Sequence, residues 1–127
     1  MHFTIDGRLP NLNEYTRANR HNRFAGGSMK KNTEQQILEC IHKAVEEGTL
    51  ARIDNYPVHI NYKWYEPNNR RDADNVSFAK KFIQDALVTA GILEDDSRKF
   101  VKSFSDIVET DKENPRVEVE LISIEGE

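Results

Sequence analysis

From Val58 to Tyr65 the chain alternates between apolar and polar side chains without a break. Val58, Ile60, Tyr62 and Trp64 fall on one side, and His59, Asn61, Lys63 and Tyr65 on the other. Successive side chains of a strand point to opposite faces, so this pattern dictates a strand with one buried and one solvated face. A slip of one residue would expose the whole apolar set, which fixes the register. Such a strand cannot stand alone. It needs neighbouring strands and a layer over its apolar face, and 127 residues supply one domain, residues 1–127, of that kind.

The remaining segments are read against that strand. His2 to Ile5 reads as a first strand turning at Asp6-Gly7. Arg8 to Ser28 loses all periodicity among Pro, Asn, Arg and Gly, which predicts a long loop, functional or mobile. Ile37, Leu38, Ile41, Ala44 and Val45 recur at helical spacing and predict a helix over Lys30–Glu47, with Gly48 at its C-terminal stop. A second helix is predicted over Asp74–Ala90, burying Ala79, Phe82, Ile83, Ala86, Leu87 and Ala90 before Gly91. Phe100–Glu109 and Arg116–Ile124 read as strands, and the turn between them at 111–115 predicts an antiparallel hairpin. The expected fold is α+β: a small mixed sheet of about four strands with two main helices on it, in the order β-α-β-α-β-β.

Several function classes are excluded. There is no apolar run of membrane-spanning length and no apolar signal region at the start, so the cytoplasm is the expected location. Cys40 is the only cysteine, which rules out an internal disulfide and a thiolate metal site, and its helical setting predicts a packed thiol. His21, His42 and His59 have no ligand spacing, and no Ser-His-Asp order or phosphate-binding loop is present. The net charge of −4 argues against a nucleic-acid partner until its distribution is considered. Positions 8 to 31 hold six bases (Arg8, Arg17, Arg20, Arg23, Lys30, Lys31) against Glu14, a local +5, whereas positions 94 to 127 hold eleven acids against five bases, a local −6. A basic arm on an acidic body can still steer a polyanion, and a solvated basic loop is the equal alternative.

The chemistry-bearing stretch is RRDADNVSFAKKFIQDALVTAGILEDD, positions 70 to 96. One of Asp72 and Asp74 can cap the helix behind it, but a cap needs only one aspartate. Two acids at i and i+2 project toward one point when the backbone is extended, and carboxylate oxygens suit a hard divalent ion. Lys81 lies seven residues after Asp74, on nearly the same face of an ideal helix about 10 Å away, and leans back toward the aspartates. Its alternative is a surface pair with Asp85, and Lys80 points elsewhere. Asp95 and Asp96 form an acidic turn; one of them would complete a three-carboxylate cage if the following strand returned beside the strand ending at Tyr65.

This combination of R-R-D-x-D-N, a helix lysine, D-A-L-x-x-A-G and an acidic pair resembles the RusA family of Holliday-junction endonucleases of bacteria and their prophages. The resemblance is densest over about a fifth of the chain. It implies a homodimeric, Mg²⁺-dependent nuclease, with Mn²⁺ as a substitute, that cuts paired strands of branched DNA. Asp72, Asp74 and Asp96 then match the metal-binding catalytic aspartates, with Asp95 as second choice for the third. Lys81 matches the helix lysine counted back from Asp85, while the count forward from Asp74 falls on Phe78, as if this helix carried an extra turn. Arg70, Arg71 and the six bases from Arg8 to Lys31 are the expected DNA contacts. The competing readings are a non-catalytic DNA-binding module whose aspartates only cap the helix, and a nuclease for flaps or other branched DNA.

Overall fold

The computed structural model describes residues 1–124. Four strands, β1 (His2–Asp6), β2 (Val58–Glu66), β3 (Val101–Thr110) and β4 (Arg116–Ser123), form one mixed sheet in the order β1-β4-β2-β3. The helices are α1 (Leu12–His21), α2 (Arg23–Glu47), α3 (Ala73–Ser77) and α4 (Lys80–Thr89). The α+β architecture is the expected one, but the first expected helix extends back to Arg23 and is preceded by α1, and the second is split into α3 and α4. None of these helices is long and apolar enough to cross a membrane.

The alternation in β2 does what it predicts. Val58, Ile60, Tyr62 and Trp64 are buried together with Phe3 and Ile5 of β1 and Val117, Val119 and Leu121 of β4. The covering layer brings Ile37, Ile41 and Ala44 from α2 and Phe82, Ile83, Ala86 and Leu87 from α4. On the other face a polar ladder runs between strands: His59 bonds Ser103 (2.7 Å) and Asn61 (2.9 Å), and Asn61 Nδ2 donates to Glu120 (3.1 Å). Gly48 and Gly91 stop α2 and follow α4 with φ of 83° and 78°, a conformation that favours glycine.

Three expectations are corrected. Arg8 to Ser28 is not a long loop: it holds α1 and the first turns of α2. Asn11 and Glu14 form a capping box at the start of α1, with Asn11 Oδ1 accepting from Glu14 N (2.8 Å) and Glu14 Oε1 from Asn11 N (3.0 Å). Asn22 is the hinge of an αα-hairpin: its N–H closes α1 on Ala18 O, and its side chain caps α2 by accepting from Ala25 N at 2.7 Å. Gly26 lets the helices approach, since a Cβ there would lie 1.7 Å from Asn19 Oδ1.

The last two strands are not a hairpin either. The chain passes over the end of β2, with Asp111 N donating to Glu66 O (2.7 Å), and β4 inserts between β1 and β2, antiparallel to both. β4 has the stricter apolar alternation, so burial gives it a central place and leaves β3 as an edge, parallel to β2. Finally, the helix expected over 74–90 breaks. Around Phe78 and Ala79 the bonds become i→i−3, with Ala79 N on Val76 O and Lys81 N on Phe78 O. That turn seats Phe78 edge-on to Phe82 (centroids 5.6 Å apart) and both against Tyr15 of α1.

Candidate functional site

β2 ends in a buried charge. Glu66 is the fifth inward position of the alternation, only 5% exposed, and accepts from Arg8 Nη2 at 2.8 Å. Arg71 completes the arrangement: its guanidinium lies 3.7 Å from Glu66, donates to Glu14 Oε1 (2.7 Å) and reaches the Leu9 carbonyl (3.4 Å). A buried carboxylate persists only when paired, and two arginines do that here. Arg8 and Arg71 therefore bind the protein's own carboxylates, locking the 8–14 segment to the end of β2. Of the expected DNA contacts in this region, Arg8 and Arg70 are exposed, and Arg70 is the one without an ion-pair partner among the described residues.

That clamp holds the backbone from which the two aspartates project. Asp72 occupies the N-cap position of α3 in extended conformation (φ −69°, ψ 151°), and its main-chain carbonyl accepts from Asn75 and Val76. Its side chain makes no capping bond. Asp74 sits in the first turn of the same short helix, and both carboxylates are exposed. Neither has a hydrogen-bonded or ion-paired partner among the described residues. Asn75 Oδ1 accepts from Asn13 N (3.0 Å), tying α3 to the start of α1.

Asp96 and Lys81 form a second group. Lys81 Nζ lies 3.3 Å from Asp85 and 3.6 Å from Asp96. The hydrogen bond to Asp85, then the charges of Asp85 and Asp96, push the ammonium pKa up, although the side chain is 63% exposed. Lys30 and Glu34 of α2 line the same open cleft, with Asp95 at its rim. Lys80 is committed elsewhere: its Nζ donates to Asp106 (2.6 Å), which also accepts from Trp64 Nε1 (2.8 Å), and it lies 4.5 Å over the Phe104 ring. Of the two lysines, only Lys81 touches an aspartate of the 95–96 pair.

The two groups do not merge into the expected cage. Among the described residues, no three His, Cys, Asp or Glu side chains converge as a metal site. Topology supplies the reason. Because β3 runs parallel to β2, the turn before β3 enters at the Val58 end, where Val58 N bonds Phe100 O, whereas Asp72 follows the Glu66 end. The break at Phe78 also removes the single helical face expected to carry Asp74 and Lys81 together. Asp72 is extended but Asp74 lies in the helical first turn of α3, so the extended i, i+2 projection expected of the pair is not met. Two exposed carboxylates are still the ligand type that a hard divalent ion takes beside waters and a substrate phosphate.

The basic region has a different form from the expected arm. Arg17 and Arg20 lie on α1, and Arg23, Lys30 and Lys31 on α2. All five are exposed, and none forms an ion pair with a described residue. They sit on a helical hairpin rather than on a mobile arm, with Lys30 lining the Lys81–Asp96 cleft and Arg17 a separate one.

Sequence reasoning missed Glu66, Glu14 and Asp106. Glu66 was legible, since it continues the inward series Val58, Ile60, Tyr62, Trp64 by one step. Asp106 stands opposite Tyr62 in the β2–β3 register, and only the parallel pairing reveals it. No family model matches this chain, and no curated protein sequence is significantly similar to it.

Proposed function

We propose that this chain is a divalent-metal-dependent endodeoxyribonuclease acting as a homodimer on branched DNA, with four-way junctions as the substrate expected from the motif over 70–96. The single observation that carries the reading is the exposed Asp72–Asp74 pair, two carboxylates at i and i+2 that serve neither as cap nor as ion-pair partner. Helix capping was the principal structural alternative for Asp72, and its side chain makes no such bond.

Asp72 and Asp74 would hold Mg²⁺ or Mn²⁺, which when bound supplies charge neutralisation at a phosphate oxygen and an activated water. Around that pair the protein's own residues orient the substrate. The Glu66 clamp fixes the approach of the Arg71–Asp72 backbone, and Arg70 stands beside the pair as a phosphate contact. The exposed bases of the helical hairpin, Arg17, Arg20, Arg23, Lys30 and Lys31, supply sequence-independent phosphate binding. Lys81 and Asp96 are placed as a neighbouring charged pair, and their part in the reaction is the less direct. A homodimer answers the need to cut two symmetry-related strands. It is supported by the uncovered edge of β3, a ten-residue strand that exposes Phe104 and Ile107.

The test is incubation of a synthetic four-way junction, a flap and a plain duplex with the protein, in Mg²⁺ and in EDTA. The proposal expects cutting of the junction that requires the metal and is lost in Asp74→Asn while binding persists. Junction binding without cleavage under any divalent ion would make the protein a non-catalytic DNA-binding module. Preferential cutting of the flap would reassign the substrate.

A further inference from the structure

The tip of the αα-hairpin carries a side chain that the proposed reaction does not use. Phe24 is 79% exposed, the most exposed large hydrophobic side chain among the described residues. A single surface hydrophobe needs no explanation in itself. This one differs by what holds it and what surrounds it. It is the second residue of α2, directly after the Asn22 hinge that caps one helix and closes the other. The hairpin below it is closely packed through Gly26 and Asn19, so the ring stands on a fixed point. Arg20, His21 and Arg23 are exposed within one turn of it, and no acid occurs between Glu14 and Glu34.

Three occupants would fit an exposed ring among cations, and the charge and spacing of the surrounding residues separate them. A second copy of the chain would bring two tips of like charge together, each with Arg17, Arg20 and Arg23 unpaired, which costs rather than gains. A lipid surface is served by several large apolar side chains on one face, whereas Leu12, the exposed large hydrophobic residue of α1, lies at the end of that helix away from the tip. A nucleic acid offers both parts at once: phosphates for the arginines and a flat π-face for the ring.

In a continuous duplex the base faces are stacked on one another and closed to a side chain. At a branch point the terminal pairs of the arms present a face. We propose that Phe24 is a stacking wedge that rests on a base exposed at the branch, with Arg20 and Arg23 on the flanking phosphates. The residue thereby separates branched DNA from duplex. This inference rests on the proposed reading of the chain as a protein of branched DNA, and assigns the recognition element of that reading.

The experiment measures binding in EDTA, so that nothing is cut. The probes are a four-way junction carrying 2-aminopurine at the branch and a duplex of the same sequence with the same label. Wild type, Phe24→Ala and Phe24→Trp are compared. Stacking of one base on an aromatic ring implies a loss of junction affinity on the order of 10- to 100-fold in Phe24→Ala, with duplex affinity unchanged and the 2-aminopurine response abolished. Phe24→Trp restores both. Equal junction preference in wild type and Phe24→Ala overturns the wedge while leaving the branched-DNA reading intact. Equal losses on junction and duplex also overturn it. Wild-type protein that binds neither probe overturns the wedge together with the reading beneath it. A change of oligomeric state in Phe24→Ala would assign the ring to self-association instead.

Discussion

Replacing Gly27 by alanine tests whether residues 23–31 are helix or loop in solution. Gly27 is the fifth residue of α2, exposed, at ordinary negative φ, and a Cβ added there meets nothing within 4 Å. Glycine in a helix interior is less favourable than alanine by about 0.8–1 kcal/mol, so Gly27→Ala stabilises by roughly that amount. For 127 residues the unfolding entropy is on the order of 0.27 kcal/mol/K, which converts the gain into a Tm higher by ~3 °C. Gly26→Ala is the internal control. It carries the same propensity gain, but its Cβ would fall 1.7 Å from Asn19 Oδ1 and 2.6 Å from Asn19 Cγ, so the asparagine must swing out toward solvent. The net change at position 26 is therefore smaller, about zero. Thermal unfolding of the two variants beside wild type, followed by circular dichroism, measures the difference. In a mobile loop either substitution restricts folded and unfolded chains alike, and neither would move Tm. An unchanged or lowered Tm for Gly27→Ala refutes the helical hairpin, and with it the fixed tip that presents Phe24.

Glu66→Gln retains size and one acceptor but removes the charge between Arg8 and Arg71; loss of a charge-assisted pair costs about 2 kcal/mol, read as a Tm lower by ~7 °C. Asp74→Asn changes stability by less than ~0.5 kcal/mol, because the carboxylate is exposed and has no described partner, yet abolishes metal-dependent cleavage. Light scattering at micromolar concentration gives twice the mass of the 14.7 kDa chain, and Ile107→Lys on the β3 edge returns it to the monomer value.

The parts of the fold legible in the sequence are those where one residue pattern has one physical solution. The β2 alternation admits no other pairing face, and the glycines at 48 and 91 mark left-handed positions that end helices. The hairpin of α1 and α2 was hidden for the opposite reason. α1 fully buries none of its residues, and its apolar side is too sparse for periodicity to single out. What holds it is a capping box, Asn11 to Glu14, the packing of Tyr15 on Phe78 and Phe82, and close approach at Gly26. The box is visible as an Asn followed three residues later by Glu, but the Gly26-Gly27 pair reads as a turn when its use as a contact is unknown. The place of β4 was decided by competition. A short turn favours pairing neighbours, yet Val117, Val119 and Leu121 gain more from burial between β1 and β2 than a hairpin at the edge would provide.

The same distinction separates the two halves of the candidate site. Asp72 and Asp74 are legible in the chain as a D-x-D pair, but their relative direction is not, since only Asp72 is extended and Asp74 already lies in the first turn of α3. The third carboxylate depends on which end of the sheet β3 enters, and a parallel β3 sends Asp96 to Lys81 rather than to the pair. That contact is an exposed ion pair at 3.6 Å, of a kind worth at most about 1 kcal/mol, so it does not fix the Asp96 side chain strongly. The clamp at Glu66 is the reverse case: buried, short and doubly paired. Rigidity is thus concentrated behind Asp72 and Asp74, whose carboxylates are left without a partner of their own, as a pair must be if its ligand is to come from solution.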